Sequence, residues 1–262
     1  MSRWLKARPL ALPLTLLLTL ALAALSLFAA GCGSNAPAQI RFVHAIQDEG
    51  ILNVDVNGTP EFTEISFLGV GPNQPGYTSV PSGSDTIEGF LASNNSAAFT
   101  YSAGWSSGTA YTVVATGFSQ TGVNGSNVVL LSIPDDIPTP QAGYVEFRLI
   151  HASPSGPPLV DVYIDLNPSS GPELPVTIKS LAYTQASSYV QFAFNPNNAT
   201  NPPGYTVYVT PSGSMTPVYI AEQINPGAAG EARTLVLTDV KNGTQPPPSG
   251  MSSTFLELSD LN

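Results

Sequence analysis

"RLIHASPSGPPLVDVYID", residues 148–165, decides the fold, because a second version of it, "RFVHAIQDEGILNVDVNG", stands at 41–58. The chain has two histidines, His44 and His151, and each follows an arginine, Arg41 or Arg148, by three residues. Side chains alternate between the two faces of a strand. Val145, Phe147, Leu149 and His151 therefore share one face, and Arg148 takes the other. In the earlier version Ile40, Phe42 and His44 share a face, with Arg41 opposite. Both histidines are thus expected at the end of a core-facing row.

The echo extends along the chain, and repeats of this kind outrank local signals. "GSDTIEGFLASNNSAAFTYSA" from Gly83 corresponds to "GYTVYVTPSGSMTPVYIAE" from Gly204, and "AYTVVATG" (110–117) to "ARTLVLTDV" (232–240). "VVLLSIPDD" from Val128 corresponds to "FLELSDLN" from Phe255, so the last residues are expected to be a strand and "QPPPSG" (245–250) a loop before it. The units run over 39–134 and 143–262, joined by a short proline-bearing linker, 135–142. Short Val, Ile, Thr, Tyr and Phe runs between Gly, Pro, Asn and Ser clusters predict strands. Units of this length suit an all-β fold of two tandem immunoglobulin-like antiparallel β-sandwich domains.

Folding the two motif strands as a hairpin that sets Arg148 against Asp161 pairs Phe147 with Val162 and Val145 with Ile164. The same register sets Arg41 against Asp55 and Phe42 against Val54. A one-residue slip would invert every pairing. This reading predicts a cross-strand ion pair in each domain, Arg41 with Asp55 and Arg148 with Asp161, as structural contacts rather than a site. One histidine per domain is too few for a zinc site, which takes three or four ligands, so no metal is expected.

R-x-x-H-A, a turn, then V-D-V-Y, carried well by 148–165 and in reduced form by 41–58, resembles domain-of-unknown-function family 4397. "AYTVVATG" resembles that family's later strand. The resemblance implies exported, often anchored, tandem β-sandwich domains and brings no established activity, catalytic residue or cofactor.

The amino terminus sets Arg3, Lys6 and Arg8 before an uncharged apolar run from Pro9 to Phe28, the layout of a secretory signal helix. "AAGC" ends at Cys32, the only cysteine, and resembles a bacterial lipobox, although Ala29 stands where leucine is usual. Residues 1–31 are then a lipoprotein signal peptide, and 32–38 the lipidated cysteine with a short tether. Three acyl chains on Cys32 would anchor the protein firmly. With Gly33 rather than Asp after the cysteine, the lipobox resemblance implies transfer to an outer membrane if the host has one. Removing the leader takes three basic residues and leaves five against 18 acidic ones, a net charge of −13. So acidic a chain repels phosphate backbones, which speaks against nucleic-acid partners. The expected partners are the membrane, through the anchor, and an envelope glycan or protein.

"GWSSG" (104–108) fits G-x-S-x-G with Ser106 as nucleophile, but that elbow belongs on a strand-to-helix turn, and here it joins two strands. No catalytic residue is expected, and a hydrolase using Ser106 or a passive spacer stand as alternatives. Trp105, Tyr101 and Tyr111, near this turn, form a candidate binding surface, since aromatics anchor sugars and protein partners, although for each residue singly a place in the sandwich core ranks first.

Overall fold

A computed structural model describes residues 36–73, 76–119, 128–165, 171–173, 175–194, 204–224, 226–240 and 253–261. The expected signal peptide, residues 1–31, and Cys32 lie outside them. The described chain contains strands and no helix. Residues 37–262 belong to one compact unit, which holds two β-sandwiches.

In the first sandwich, β1 (Ala38–Ile46) lies between β4 (Val70–Gly71) and β8 (Ala110–Gly117), β8 carries β9 (Val129–Pro134) on its far side, and β5 (Thr78–Val80) also pairs with β1. The facing sheet runs β3 (Thr59–Ile65), β2 (Leu52–Val56), β6 (Gly83–Leu91), β7 (Ala97–Trp105). In the second sandwich, β13 (Val190–Ala193), β10 (Tyr144–Ala152), β16 (Ala232–Asp239) and β17 (Ser253–Leu261) form one sheet. Its facing sheet runs β12 (Ile178–Ala182), β11 (Leu159–Asp165), β14 (Tyr205–Pro211), β15 (Tyr219–Ile224). Each stretch matched by the repeat occupies the same place in both sandwiches, and residues 253–261 are a strand paired with β16.

The sheets differ from the expected arrangement in two respects. The sheets are not wholly antiparallel: β1 pairs with β8 in parallel, and β10 with β16 likewise. The motif strands also do not form a hairpin. β1 and β2 lie in different sheets, as do β10 and β11. The face assignment survives this change, because Phe42 and Val54 meet in one core and Phe147 and Val162 in the other. Alternation fixes which face a side chain takes and leaves open which strand lies beside it. The loop after Ile46 arches from one sheet to the other instead of turning back along the first.

The opposite faces of β1 and β10 are covered too. Val43, Ala45, Val114 and Leu131 of the first sandwich form a third apolar cluster with Ile150, Ala152, Val236 and Leu258 of the second. The β1 and β10 sheets thus pack against each other, and the strand carrying the motif has a core on both sides in each copy.

Candidate functional site

At one end of this shared face the arginines meet carboxylates other than the expected ones. Arg41 is 1 % exposed and Arg148 3 %. Arg41 Nε donates to Thr112 Oγ1 on the neighbouring strand (2.8 Å), Nη1 to the Ser259 carbonyl (3.2 Å), and Nη2 to Asp260 Oδ1 (2.5 Å) across the interface. Arg148 repeats this, with Nε to Thr234 Oγ1 (2.7 Å), Nη1 to the Pro134 carbonyl (3.0 Å) and Nη2 to Asp135. Each arginine therefore takes a carboxylate from the other sandwich, Arg41 from Asp260 on β17 and Arg148 from Asp135, the residue that follows β9 and that also lies 3.6 Å from Arg41 Nε. The predicted pairs Arg41–Asp55 and Arg148–Asp161 do not form, because Asp55 and Asp161 sit in the outer sheets.

Both carboxylates are fully enclosed and well supplied with donors. Asp135 accepts from Thr112 Oγ1 (2.8 Å) and Tyr77 Oη (2.8 Å), Asp260 from Thr234 Oγ1 (2.6 Å) and Tyr189 Oη (2.9 Å). The arginines lie over the rings of these tyrosines, Arg41 at 5.3 Å from Tyr77 and Arg148 at 4.9 Å from Tyr189. Burying charge is costly unless the pair is tightly hydrogen-bonded, and this one is. Burial opposes the Arg41 charge, but Asp260 and Asp135 outweigh it and the net shift of its pKa is upward. Burial also drives the Tyr77 and Tyr189 hydroxyls well above the ordinary phenol value, so they remain donors.

The reciprocity continues at the far end of the face. Thr116 Oγ1 donates to the Ala152 carbonyl (2.6 Å), and Thr238 Oγ1 to the Ala45 carbonyl (3.5 Å). Contact of residue i with j and of the equivalent of j with the equivalent of i is how a two-fold interface is built. Two copies in one chain meet here as a homodimer would.

The histidines are each 0 % exposed and close the arches. His44 Nδ1 accepts from the Ile46 N–H (3.3 Å), which leaves the proton on Nε2 to donate to the Gly50 carbonyl (2.8 Å). His151 does the same with the Ser153 N–H (3.4 Å) and the Pro157 carbonyl (2.8 Å). Phe67 and Tyr183 set ring edges against them. Burial lowers the His151 pKa, against the opposing pull of the Pro157 carbonyl. A neutral imidazole thus ties the loop where the chain crosses between sheets, and that is why the motif spaces the histidine just before the turn.

The motif aspartates have diverged. Asp55 is half-buried and stands opposite Glu88. Asp161 is 2 % exposed and accepts from the Ser180 N–H (2.7 Å), the Gly213 N–H (2.8 Å) and Ser212 Oγ (3.1 Å). Burial works against its charge, but these donors hold its pKa below the usual carboxylate value.

Trp105 and Tyr111 do not form an exposed binding surface. Both are buried in the first core, Trp105 Nε1 donates to Ser132 Oγ (3.1 Å), and Tyr111 Oη accepts from the Ser106 N–H (3.0 Å). Tyr101 is half-buried against the same core and donates to the Val128 carbonyl. The available signal was that Tyr101 and Trp105 share a face of β7 with Phe99 and Ala103, and Tyr111 a face of β8 with Val113 and Ala115. Ser106 is exposed on the turn between β7 and β8. Gly108 of this turn donates to the Pro37 carbonyl, seven residues before His44 along β1, which is roughly 23 Å at strand rise. Both histidines are committed to loop carbonyls, so neither serves Ser106 as a base. Among the described residues, no group of three or more His, Cys, Asp or Glu could hold a metal ion.

Asp135, Asp260, Thr112, Thr234, Tyr77 and Tyr189 were missed as members of the centre. The threonines and aspartates had a signal, since each recurs at matching places in the two copies.

Residues 38–163 match the model of a family described as a domain of unknown function, DUF4397. The matched segment begins with β1 and ends inside β11, so it contains both R-x-x-H-A stretches. No curated protein matches the chain.

Proposed function

We propose that the protein is an exported, lipid-anchored component of the cell envelope that acts without catalysis, as a rigid binding module or structural surface element. The observation that carries this reading is the crossed pair of buried Arg–Asp contacts. The most chemically distinctive residues of the repeat are consumed in locking two sandwiches together, and a rigid pair of sandwiches is a platform for loops. The amino-terminal layout supports export, and Cys32 supports attachment at the outer membrane through acyl chains. The surplus of acidic residues supports an envelope glycan or protein as partner in preference to nucleic acid.

Residues 33–262, purified without lipid, are expected to co-sediment saturably with envelope fractions and to leave generic esters intact. Absence of retention would move the reading to a passive spacer, and ester hydrolysis abolished in Ser106→Ala would replace it with a hydrolase. In cells, acyl labelling is expected in the full chain and absent from Cys32→Ser.

A further inference from the structure

Where β9 leaves its sheet for the linker, the seam between the sandwiches opens into a cavity of about 460 Å³. Its walls come from four parts of the chain: the end of β9, the linker, Arg148 on β10, and residues 186–189 ahead of β13. Ligand sites commonly lie in such seams and have this size.

We infer that this cavity binds a neutral saccharide bearing an acetamido group, about the size of a disaccharide. Three features define the occupant. A guanidinium carries five N–H donors, and those of Arg148 meet four acceptors among the described residues, two of them at Nη2. The remaining donor is on Nη1, on a side chain that lines the cavity, and a neutral amide carbonyl suits it. At the mouth, the exposed Asp136 carboxylate accepts and the exposed Ser188 hydroxyl donates or accepts, which suits a ring carrying hydroxyls. Ile133, Pro134 and Pro138 add apolar surface, which suits the C–H face of a pyranose and an acetamido methyl. Charge narrows the class further. Asp135 already neutralises Arg148, Asp136 adds a negative charge, and phosphate or carboxylate ligands would be repelled.

This inference deepens the binding-module reading and rests on it. The test is an NMR titration of residues 33–262 with N,N′-diacetylchitobiose, with glucuronate as the charged control. Saturable shifts confined to 133–138, 148 and 186–189 are expected with chitobiose and none with glucuronate. Asp136→Ala should weaken binding about tenfold, the loss of one hydrogen bond to a charged group. Ser188→Trp, which fills the cavity from an exposed position, should abolish it with the unfolding midpoint unchanged. Shifts that fail to saturate, or that survive Ser188→Trp, would overturn the inference. If the Ser188→Trp protein loses no retention on envelope fractions, the cavity is not the binding site and the broader reading still stands.

Discussion

The two copies of the motif kept one pair of residues in step and let another drift apart. Arg41 and Arg148 make the same contacts almost atom for atom: a threonine on the adjacent parallel strand, a carbonyl and a carboxylate across the interface, and a tyrosine ring. Asp55 and Asp161 share a place in the sequence repeat, yet one faces Glu88 on an outer sheet and the other ties three donors. The difference follows from what each face meets. Arg41 and Arg148 each complete a carboxylate belonging to the other copy, so a change in one takes from the other sandwich's buried carboxylate its nearest guanidinium. The outer faces meet no second copy and are free to diverge.

The largest effects should come from breaking the shared face. Asp135→Ala leaves Arg148 buried without its carboxylate and should cost about 3–5 kcal/mol in urea unfolding, and Arg148→Met should cost less, because Asp135 keeps Arg41 at 3.6 Å. The combined variant Asp135→Leu/Arg148→Met should recover much of this, because a buried pair replaced by apolar groups is often neutral. Next comes the diverged position. Asp161→Ala strands two backbone N–H groups and should cost about 1–3 kcal/mol, whereas Asp55→Ala should change stability by less than about 0.5 kcal/mol. Equal costs at the two sites would erase the contrast.

A smaller effect should show in pH dependence. The native pKa of His151 lies below its unfolded value. Its contribution is therefore present above an unfolded value near 6.5 and is lost as pH falls through the native one. Asp239 runs the other way: burial raises its native pKa, so ionisation at neutral pH costs stability that acid restores. Stability measured from neutral pH downward should fall further in the unaltered chain than in His151→Ala, and parallel curves would contradict the latch. The smallest contrast lies at the far end of the interface. Thr116→Val loses a 2.6 Å bond and should cost about 1 kcal/mol, with Thr238→Val, whose bond is 3.5 Å, costing less.

Much of the fold is legible in the sequence. Alternation placed Phe42, Phe147, His44 and His151 toward a core, and the repeat placed the last strand. The pairing of Arg41 was not readable, because its carboxylate, Asp260, lies in the other copy at the opposite end of the chain, and spacing within a motif is silent about such contacts. A clue was present all the same. The face that carries Arg41 also carries Val43 and Ala45, and that of Arg148 carries Ile150 and Ala152. Apolar residues beside a lone arginine on a supposedly solvated face signal that something covers it. Trp105 and Tyr111 are core rather than surface for a reason the sequence also carries, since each shares a strand face with apolar neighbours, Trp105 on β7 and Tyr111 on β8.

The central claim is that the crossed pairs make two sandwiches into one cooperative body. Trp105 is the only tryptophan in residues 33–262 and sits in the first core, while Asp260 belongs to the second sandwich. Urea unfolding of Asp260→Ala followed by Trp105 fluorescence tests the coupling directly. The account predicts a Trp105 transition that moves to lower urea together with the far-ultraviolet circular dichroism. A Trp105 transition left where it stands in the unaltered protein, while circular dichroism reports early loss of the second sandwich, would contradict it.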